Sequence, residues 1–252
     1  MKNKISREKN LQNKNDYLEL KLRKELFLNT KESFHDKIDT FPKFASKKSL
    51  ARFLVRHELF KKILNIHGSI VDCGVLNGAS LFTFAKLSSI YEPVNHTRKI
   101  IGFDTFSGFP KILKTDKKYS FSDNLKKRGL SGSTYKNILD AIKIFDINRP
   151  LAHINKIEVI KGDIKYTAKK YLKENPHTII SLLYLDLDLF EPTKFAIKNF
   201  YPLMTKGSLI AFDELNFKNY PGETVALKKT LGLKKFKLNR FNIDPAISYI
   251  QI

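Results

Sequence analysis

Short aliphatic runs alternate with helical patterns from residue 69 onward, and this alternation restricts the fold more than any other feature of the chain. The aliphatic runs predict strands at residues 69–73, 99–104, 156–161, 178–188 and 207–213. Helical patterns predict helices at residues 79–88, 133–145 (capped by Ser133), 166–173, 193–201 and 224–231. Two further strands are predicted at residues 235–240 and 246–252, joined by a turn at 242–245. Strands that alternate with helices form a mostly parallel sheet with helices on both faces, so we predict an α/β fold.

The chain before the first strand is different in character. Residues 1–45 are polar and rich in lysine, with a helix predicted at 17–27 and a break at Phe41-Pro42. An apolar stripe then predicts a helix at residues 49–64. We therefore divide the chain into an N-terminal arm or lid at residues 1–45 and an α/β domain at residues 46–252. A basic, irregular stretch at residues 111–131 is predicted to be a surface loop.

The charge of the chain is strongly positive, with 46 Lys and Arg against 25 Asp and Glu, a formal net charge of +21. Such a balance is compatible with a polyanionic partner such as RNA, or with a membrane surface. The basic residues are dispersed, however, and no arginine-rich arm or aromatic RNA-binding signature accompanies them. We therefore interpret them as a solvated lysine-rich surface and predict no specific nucleic-acid partner.

The sequence also favours a cytoplasmic location. Cys73 is the single cysteine, so no intrachain disulfide can form, which is typical of a reducing compartment. The N-terminal segment MKNKISREKNLQNKND is charged and lacks the apolar core of a signal peptide. No apolar run approaches the length of a membrane span, so none is predicted.

Because ligands bind parallel sheets at the carboxyl ends of their strands, the residues just after each predicted strand are the informative ones. Gly74 and Gly78 follow the first strand and allow a tight turn close to a ligand, although the dinucleotide pattern G-x-G-x-x-G is absent. Asp104 follows the second strand, where a carboxylate can accept hydrogen bonds from both hydroxyls of a ribose. Asp163 follows the third, where it could accept from an adenine amino group. The glycines could instead form a plain tight turn, and Asp104 could be a turn or capping residue.

Carboxylates crowd the ends of the fourth and fifth predicted strands. Asp186 and Asp188 end the stretch LLYLDLDLFEPT, and their spacing on a strand predicts that they share one face. Asp213 and Glu214 end the next strand. A hard divalent cation, magnesium first of all, would relieve the repulsion among these groups. The alternative is that Asp186 or Asp188 caps the following helix.

These strand-end segments resemble the macrocin O-methyltransferase family of class I, S-adenosylmethionine-dependent enzymes, which methylate sugar hydroxyls. The matching segments lie in family order between about residues 45 and 230: VDCGVLNGAS, IGFDTFSGFP, KGD, YLDLDLFEPT, GSLIAFDE and PGETVA. The resemblance implies a Rossmann-like sheet of seven strands that ends in a C-terminal β-hairpin. It also implies two bound groups, S-adenosylmethionine and Mg²⁺.

The resemblance places functional roles on particular residues. The implied cofactor site comprises Asp72, Gly74, Val75, Asn77, Gly78, Ser80, Asp104, Thr105, Phe106, Gly162, Asp163 and Asp186. The implied metal ligands are Asp188, Asp213 and Glu214, and the implied catalytic carboxylates are Asp188 and then Asp186. The chain departs from the family in having Glu214 where Asp is usual and Leu187 where Gly is common. These departures make metal dependence a weaker expectation than cofactor binding.

The chemistry implied is methyl transfer to a hydroxyl of a small sugar or glycoside: part of a surface polysaccharide, a nucleotide sugar or a natural product. Bound Mg²⁺ would lower the pKa of that hydroxyl, and a carboxylate would take its proton. Two alternatives stay open, an RNA methyltransferase and a catalytically inactive nucleotide-binding protein of the same fold. The sequence does not define the acceptor, and it leaves open whether the chain forms a homo-oligomer.

Overall fold

The computed structural model describes residues 13–118, 120 and 122–252, and the chain divides into two compact units. The described part of the first unit runs to Leu54 and is helical, with α1 at Lys14–Asn29, α2 at Phe34–Asp39, α3 at Phe41–Phe44 and the start of α4, which spans Lys47–Ile63. Residues 1–12 of the predicted arm lie outside the described residues. Its role as an arm or lid stays a prediction.

Local capping explains where the first two helices begin. The Asn13 side chain accepts hydrogen bonds from the Asn15 and Asp16 amides, and Ser33 caps α2 in the same way. Pro42, predicted as a break, instead lies in the first turn of α3. Proline is tolerated there because the first amides of a helix have no partner within the helix.

The second unit, Val55–Ile252, contains a seven-stranded sheet in the order β3-β2-β1-β4-β5-β7-β6. Its strands are β1 Ser69–Cys73, β2 Ile100–Asp104, β3 Ile157–Lys161, β4 Ile180–Leu185, β5 Met204–Phe212, β6 Asn239–Arg240 and β7 Ser248–Gln251. The first five strands are parallel, and β7 runs antiparallel to both β5 and β6. The predicted α/β fold with its C-terminal hairpin is therefore confirmed.

Helices cover both faces of this sheet. They are α5 Ala79–Tyr91, α6 Lys114–Lys117, α7 Tyr135–Ile147, α8 Ile164–Glu174, α9 Phe190–Phe200 and α10 Gly222–Thr230. One apolar cluster joins the sheet to α4, α5 and α7, and a second joins it to α8, α9 and α10. β1 and β4 are buried along their whole length, which is why their sequences are mostly apolar and do not alternate between apolar and polar residues.

Among the differences from the sequence-based expectation, three concern the surroundings of the strand ends. β4 ends at Leu185, so Asp186 and Asp188 lie in the loop after the strand and not on one of its faces. Thr134, not Ser133, caps α7, because its side chain accepts from the Asn137 amide. The predicted loop at 111–131 contains the short helix α6.

Among the residues described, no helix is long and apolar enough to cross a membrane.

Candidate active site

The strand order reverses beside β1, which lies between β2 and β4, and ligands bind such sheets at this point. The turn after β1 is packed against both neighbours. The Gly74 amide donates to the Phe103 carbonyl at 2.9 Å, and the Asp186 amide donates to the Cys73 carbonyl at 2.8 Å. Gly74 has a φ of +101°, and a Cβ added there would lie 1.8 Å from the Asp186 carbonyl oxygen. No residue with a side chain fits this position, so a ligand bound at this turn would meet bare backbone.

The other residues predicted in this turn support its shape. Gly78 begins α5 with a φ of +82°. The Val75 side chain is buried in the core, and the Asn77 side-chain oxygen accepts from the Ser133 amide at 2.8 Å. Val75 therefore contributes only its backbone to the surface of the turn. Asn77 contributes its backbone and the exposed remainder of its side-chain amide.

A buried hydrogen bond fixes the turn from below. The Ser80 hydroxyl donates to Asp72 Oδ2 at 2.7 Å, and both residues are buried. Burial raises the pKa of Asp72 to about 7, although the Ser80 hydrogen bond and the Arg56 charge act to lower it. Asp72 Oδ1 has no hydrogen-bond partner among the described residues. These two predicted cofactor residues thus lie beneath the site.

Asp104 ties the ends of β1 and β2 together. Its Oδ2 accepts from the Leu76 amide at 2.8 Å, and its Oδ1 accepts from the Phe106 amide at 2.6 Å. Leu76 and Phe106 both adopt the left-handed conformation, at φ +48° and +54°. A carboxylate oxygen can accept more than one hydrogen bond, so Asp104 retains acceptor capacity for a ribose hydroxyl while it shapes the turns.

The remaining predicted cofactor residues border Asp104. The Thr105 hydroxyl donates to the Gly108 carbonyl at 2.8 Å, and the Gly162 amide donates to the Asp104 carbonyl at 2.8 Å. Asp163 caps α8, accepting from the Lys165 amide at 3.0 Å. Asp163 therefore serves as the N-cap of α8, and a role near adenine would be in addition to that capping role.

The carboxylates after β4 and β5 form an acidic cluster. Asp188 is 9% exposed and has a φ of +59°, a conformation that costs free energy in a residue with a side chain. Burial raises the pKa of Asp188 well above its usual range, and the charges of Glu214, Asp186, Glu223 and Asp213 raise it further. The structure therefore brings together the four carboxylates that the sequence placed at neighbouring strand ends.

Helix capping does not account for this cluster. The Phe190 amide, at the start of α9, donates to Asp116 Oδ1 at 2.7 Å, and Leu189 at the N-cap makes no side-chain cap. Asp116 is a buried residue of the 111–131 loop. The capping role that was the alternative for Asp188 is therefore filled by Asp116, which the sequence did not indicate.

Glu223 is a member of the cluster that sequence reasoning missed. It is fully buried and begins α10 beside Gly222. Its Oε1 accepts from the Leu187 amide at 3.0 Å and the Asp188 amide at 3.4 Å, and its Oε2 accepts from the Glu214 amide at 3.3 Å. Burial, together with Asp213 and Glu214, raises the pKa of Glu223 to about 8. The Glu223 carboxylate thus joins the loops after β4 and β5. The sequence signal that could have indicated Glu223 was the family-like segment PGETVA, which contains it.

Arg56 and Tyr184 were also missed. Tyr184 is fully buried in β4, and its hydroxyl donates to Asp213 Oδ1 at 2.7 Å. Arg56 projects from α4, is 7% exposed and lies 5.6 Å from the centre of the Tyr184 ring. A lone arginine in an amphipathic helix carries no sequence signal that distinguishes a buried cation from a surface one.

The cluster fits a divalent cation in donor chemistry, since hard cations prefer carboxylate oxygens and would offset the repulsion. Within residues 13–118, 120 and 122–252, however, no three His, Cys, Asp or Glu side chains are arranged to hold one metal ion. One Asp213 oxygen accepts from the Tyr184 hydroxyl. Both Glu223 oxygens accept from backbone amides, so all three oxygens already have partners within the protein. Side-chain rotations would be needed for the predicted ligands to converge.

Comparisons with known proteins agree with this geometry. The sequence model of the macrocin-O-methyltransferase (TylF) family matches residues 14–249. A crystal structure of CalS11, a calicheamicin methyltransferase, is 31% identical, with a TM-score of 0.90 over 95% of this chain and 93% of that one. The apo structure of CalS11, named TDP-rhamnose 3'-O-methyltransferase, is 30% identical, with a TM-score of 0.81 over 95% of each chain.

A more distant structure shares the fold alone. The O-methyltransferase NovP is 18% identical, with a TM-score of 0.59 over 80% of this chain and 79% of that one. A search of curated proteins gave no match.

The sheet order, the glycine turn after β1 and the acidic residue after β2 define a class I methyltransferase, an enzyme that uses S-adenosylmethionine as its methyl donor. Within that class, the chain belongs to the macrocin-O-methyltransferase family. It is therefore an O-methyltransferase, and the family, fold and enzyme class predicted from the sequence are confirmed. The roles of individual site residues stay predictions.

Proposed function

We propose that this enzyme transfers the methyl group of S-adenosylmethionine to a hydroxyl of a sugar, with a nucleotide sugar as the first acceptor to test. The observation that carries the proposal is the adjacency of the glycine turn and the acidic cluster. Asp186 packs against Gly74 through its backbone, and Asp188 lies two residues further on. A methyl donor held at the turn would thus lie beside buried carboxylates. The similarity to CalS11, a TDP-rhamnose 3'-O-methyltransferase, supports a sugar acceptor.

The chain's own residues supply binding and a base. Gly74 and Gly78 would admit the methionine part of the cofactor, Asp104 would accept from the ribose hydroxyls, and Asp163 would lie near the adenine. Asp188, which is buried in the acidic cluster, is the first candidate to accept the hydroxyl proton, with Asp186 as the second. The transfer forms a C–O bond, breaks the C–S bond of the sulfonium and leaves S-adenosylhomocysteine, while the hydroxyl proton passes to the carboxylate.

We further propose that Asp188, Asp213 and Glu214 hold Mg²⁺ when the enzyme is loaded. The crowding of these carboxylates, with Asp188 and Asp213 buried, supports the proposal. Bound Mg²⁺ would lower the pKa of the acceptor hydroxyl.

The test combines binding and turnover. Calorimetry should detect binding of S-adenosylhomocysteine, and radiolabelled S-adenosylmethionine should label an acceptor in a panel of TDP-rhamnose, other nucleotide sugars, neutral glycosides and RNA. Labelling of a sugar but not of RNA is expected. Labelling of RNA alone would replace the proposal by the RNA methyltransferase alternative, and cofactor binding with no labelled acceptor would favour an inactive protein.

A further inference from the structure

We infer that Arg56 and Tyr184 are positioning residues that hold the Asp213 carboxylate and balance the charge of the acidic cluster. The inference rests on the proposed function, because it assigns these residues to the same reaction. Tyr184 begins the matching segment YLDLDLFEPT and Arg56 is in none of the matching segments, and the resemblance assigned no role to either residue.

Tyr184 holds one oxygen of Asp213 in a fixed place. The phenol lies in β4, between β1 and β5 in the parallel part of the sheet, and is fully buried. Its hydroxyl donates to Asp213 Oδ1 at 2.7 Å, and Asp213 itself is 2% exposed. A short hydrogen bond from a neutral donor to a carboxylate in a buried setting is stronger than its solvent-exposed equivalent. The ring is held in turn by an edge-on contact with Phe84, at 5.5 Å between centroids.

Arg56 supplies the positive charge. The carbon of its guanidinium lies over the Tyr184 ring, 5.6 Å from the ring centre. Burial alone would lower the pKa of Arg56, but Tyr184, Asp213 and Asp186 raise it overall. Arg56 therefore packs against the ring whose hydroxyl donates to Asp213.

A buried arginine needs compensation, because taking a charge out of water is costly unless it is paired. Here the compensation is distributed over several carboxylates: Arg56 attracts Asp213 and Asp186 and also acts to lower the pKa of Asp72. The cluster in turn contains Asp188 and Glu223, whose pKa values are raised by burial and mutual repulsion. Arg56 therefore provides a positive charge beside the acidic cluster. Without that charge, the repulsion among the carboxylates of the cluster would increase.

Tyr184→Phe is the sharpest test, because it removes only the hydroxyl from a packed ring. Tyr171→Phe is its matched control: the Tyr171 hydroxyl donates to a carboxylate oxygen of Glu158 at 3.0 Å, at the β3 side of the sheet. Steady-state kinetics would be measured on the full chain with MgCl₂ and whichever acceptor is labelled in the panel. Calorimetry would give the affinity for S-adenosylhomocysteine, and thermal unfolding would report the fold.

The expected result for Tyr184→Phe is a fall in kcat of about tenfold, the size that follows from losing one hydrogen bond to a charged group. The MgCl₂ concentration for half-maximal rate should rise severalfold, while the affinity for S-adenosylhomocysteine changes less than twofold. Tyr171→Phe should keep the wild-type kcat. Equal kcat values for the two variants would overturn the inference, even with an active wild type. A wild type that labels no acceptor would sink the proposed function, and the inference with it.

Arg56 is tested by the contrast between a neutral and a charged replacement. Arg56→Gln should lose at least as much kcat as Tyr184→Phe, and Arg56→Lys should recover part of it because the positive charge is kept. A merely structural role would give similar losses in both, with matching falls in cofactor affinity and unfolding temperature, and that pattern would count against the inference. If Arg56→Gln does not fold, the Tyr184→Phe comparison still decides.

Discussion

The carbonyl oxygen of Asp186 occupies the place where a side chain of Gly74 would begin, since a Cβ there would lie 1.8 Å from that oxygen. Gly74→Ala must therefore push apart the ends of β1 and β4, on top of the strain of a φ of +101°. We expect a loss of several kcal/mol in the free energy of unfolding, on the scale of about 3 kcal/mol or more for combined overpacking and strain. Urea unfolding would measure it, and calorimetry should show that S-adenosylhomocysteine no longer binds.

Gly232→Ala is the control that separates the steric clash of a new Cβ from the strain of a positive φ. Gly232 has a φ of +75°, and no atom lies within 4 Å of a Cβ built on it. Its cost should be about 1–2 kcal/mol, from the left-handed conformation alone, with cofactor affinity unchanged. Equal losses in the two variants would mean that the close approach of Gly74 and Asp186 does not matter.

Asp104→Ala tests the ribose assignment. The change removes an acceptor of the Leu76 and Phe106 amides as well as a partner for ribose hydroxyls. We expect the affinity for S-adenosylmethionine to weaken by about 1–3 kcal/mol, measured by calorimetry. Asp140→Ala, which removes a carboxylate that is 48% exposed on α7, should leave affinity unchanged. Unchanged affinity in Asp104→Ala would show that this residue does not hold the cofactor.

The sequence was sufficient to predict the centre of the sheet because β1 and β4 are buried along their whole length. A run such as ISLLYL has a single serine and no alternation of polar and apolar positions, so its hydrophobicity alone predicts a buried strand. The parallel arrangement then brings every strand end to one edge. That is why Gly74, Asp104, Asp163, Asp188 and Asp213, chosen only for following a strand, are found at neighbouring strand ends.

The rest depends on contacts between distant segments. β4 was predicted to run to residue 188, but it stops at Leu185 because the next residues leave the ladder to pack against Gly74 and to bond Glu223. Glu223 lies 36 residues from Leu187, and Asp116 lies 74 residues from the Phe190 amide that it caps. Periodicity and local propensity carry no information about pairs so far apart in the chain.

The stability of the protein without cofactor or metal should fall as pH rises. Burial raises the pKa of Asp72 from 3.8 to about 7 and that of Glu223 from 4.5 to about 8. The folded chain therefore keeps protons that the unfolded chain has lost, and this stabilisation, complete below about pH 4, disappears as pH passes through about 7 to 8. Urea unfolding at pH 5, 6, 7 and 8 should show the decline.

Asp72→Asn isolates one of the two groups. An asparagine oxygen can still accept from Ser80, but the group no longer titrates, so the decline between pH 5 and 7 should be shallower than in the wild type. Asp140→Asn is the control and should follow the wild-type curve. Parallel curves for Asp72→Asn and the wild type would contradict a raised pKa at Asp72.

Glu223→Ala should destabilise both acidic loops. It leaves the buried amides of Leu187, Asp188 and Glu214 without their acceptor, while relieving some repulsion within the cluster. Each orphaned amide costs about 1–3 kcal/mol, so a net loss of about 2–4 kcal/mol is expected in urea unfolding. Glu174→Ala, which removes only an exposed ion pair of α8, should be neutral. A neutral Glu223→Ala would mean that water replaces the carboxylate without cost.

Asp188→Asn tests the metal and base assignments together. The change keeps the volume of the side chain but removes one charge from the cluster and a proton acceptor from the site. Methyl transfer should therefore be abolished, while S-adenosylmethionine still binds, because Gly74 and Asp104 lie on neighbouring strands and are untouched. Chelation should silence the wild type, and added MgCl₂ should restore it. An active Asp188→Asn enzyme that resists chelation would leave a metal-free transferase with its base elsewhere, and Asp186→Asn would then be the variant expected to lose activity.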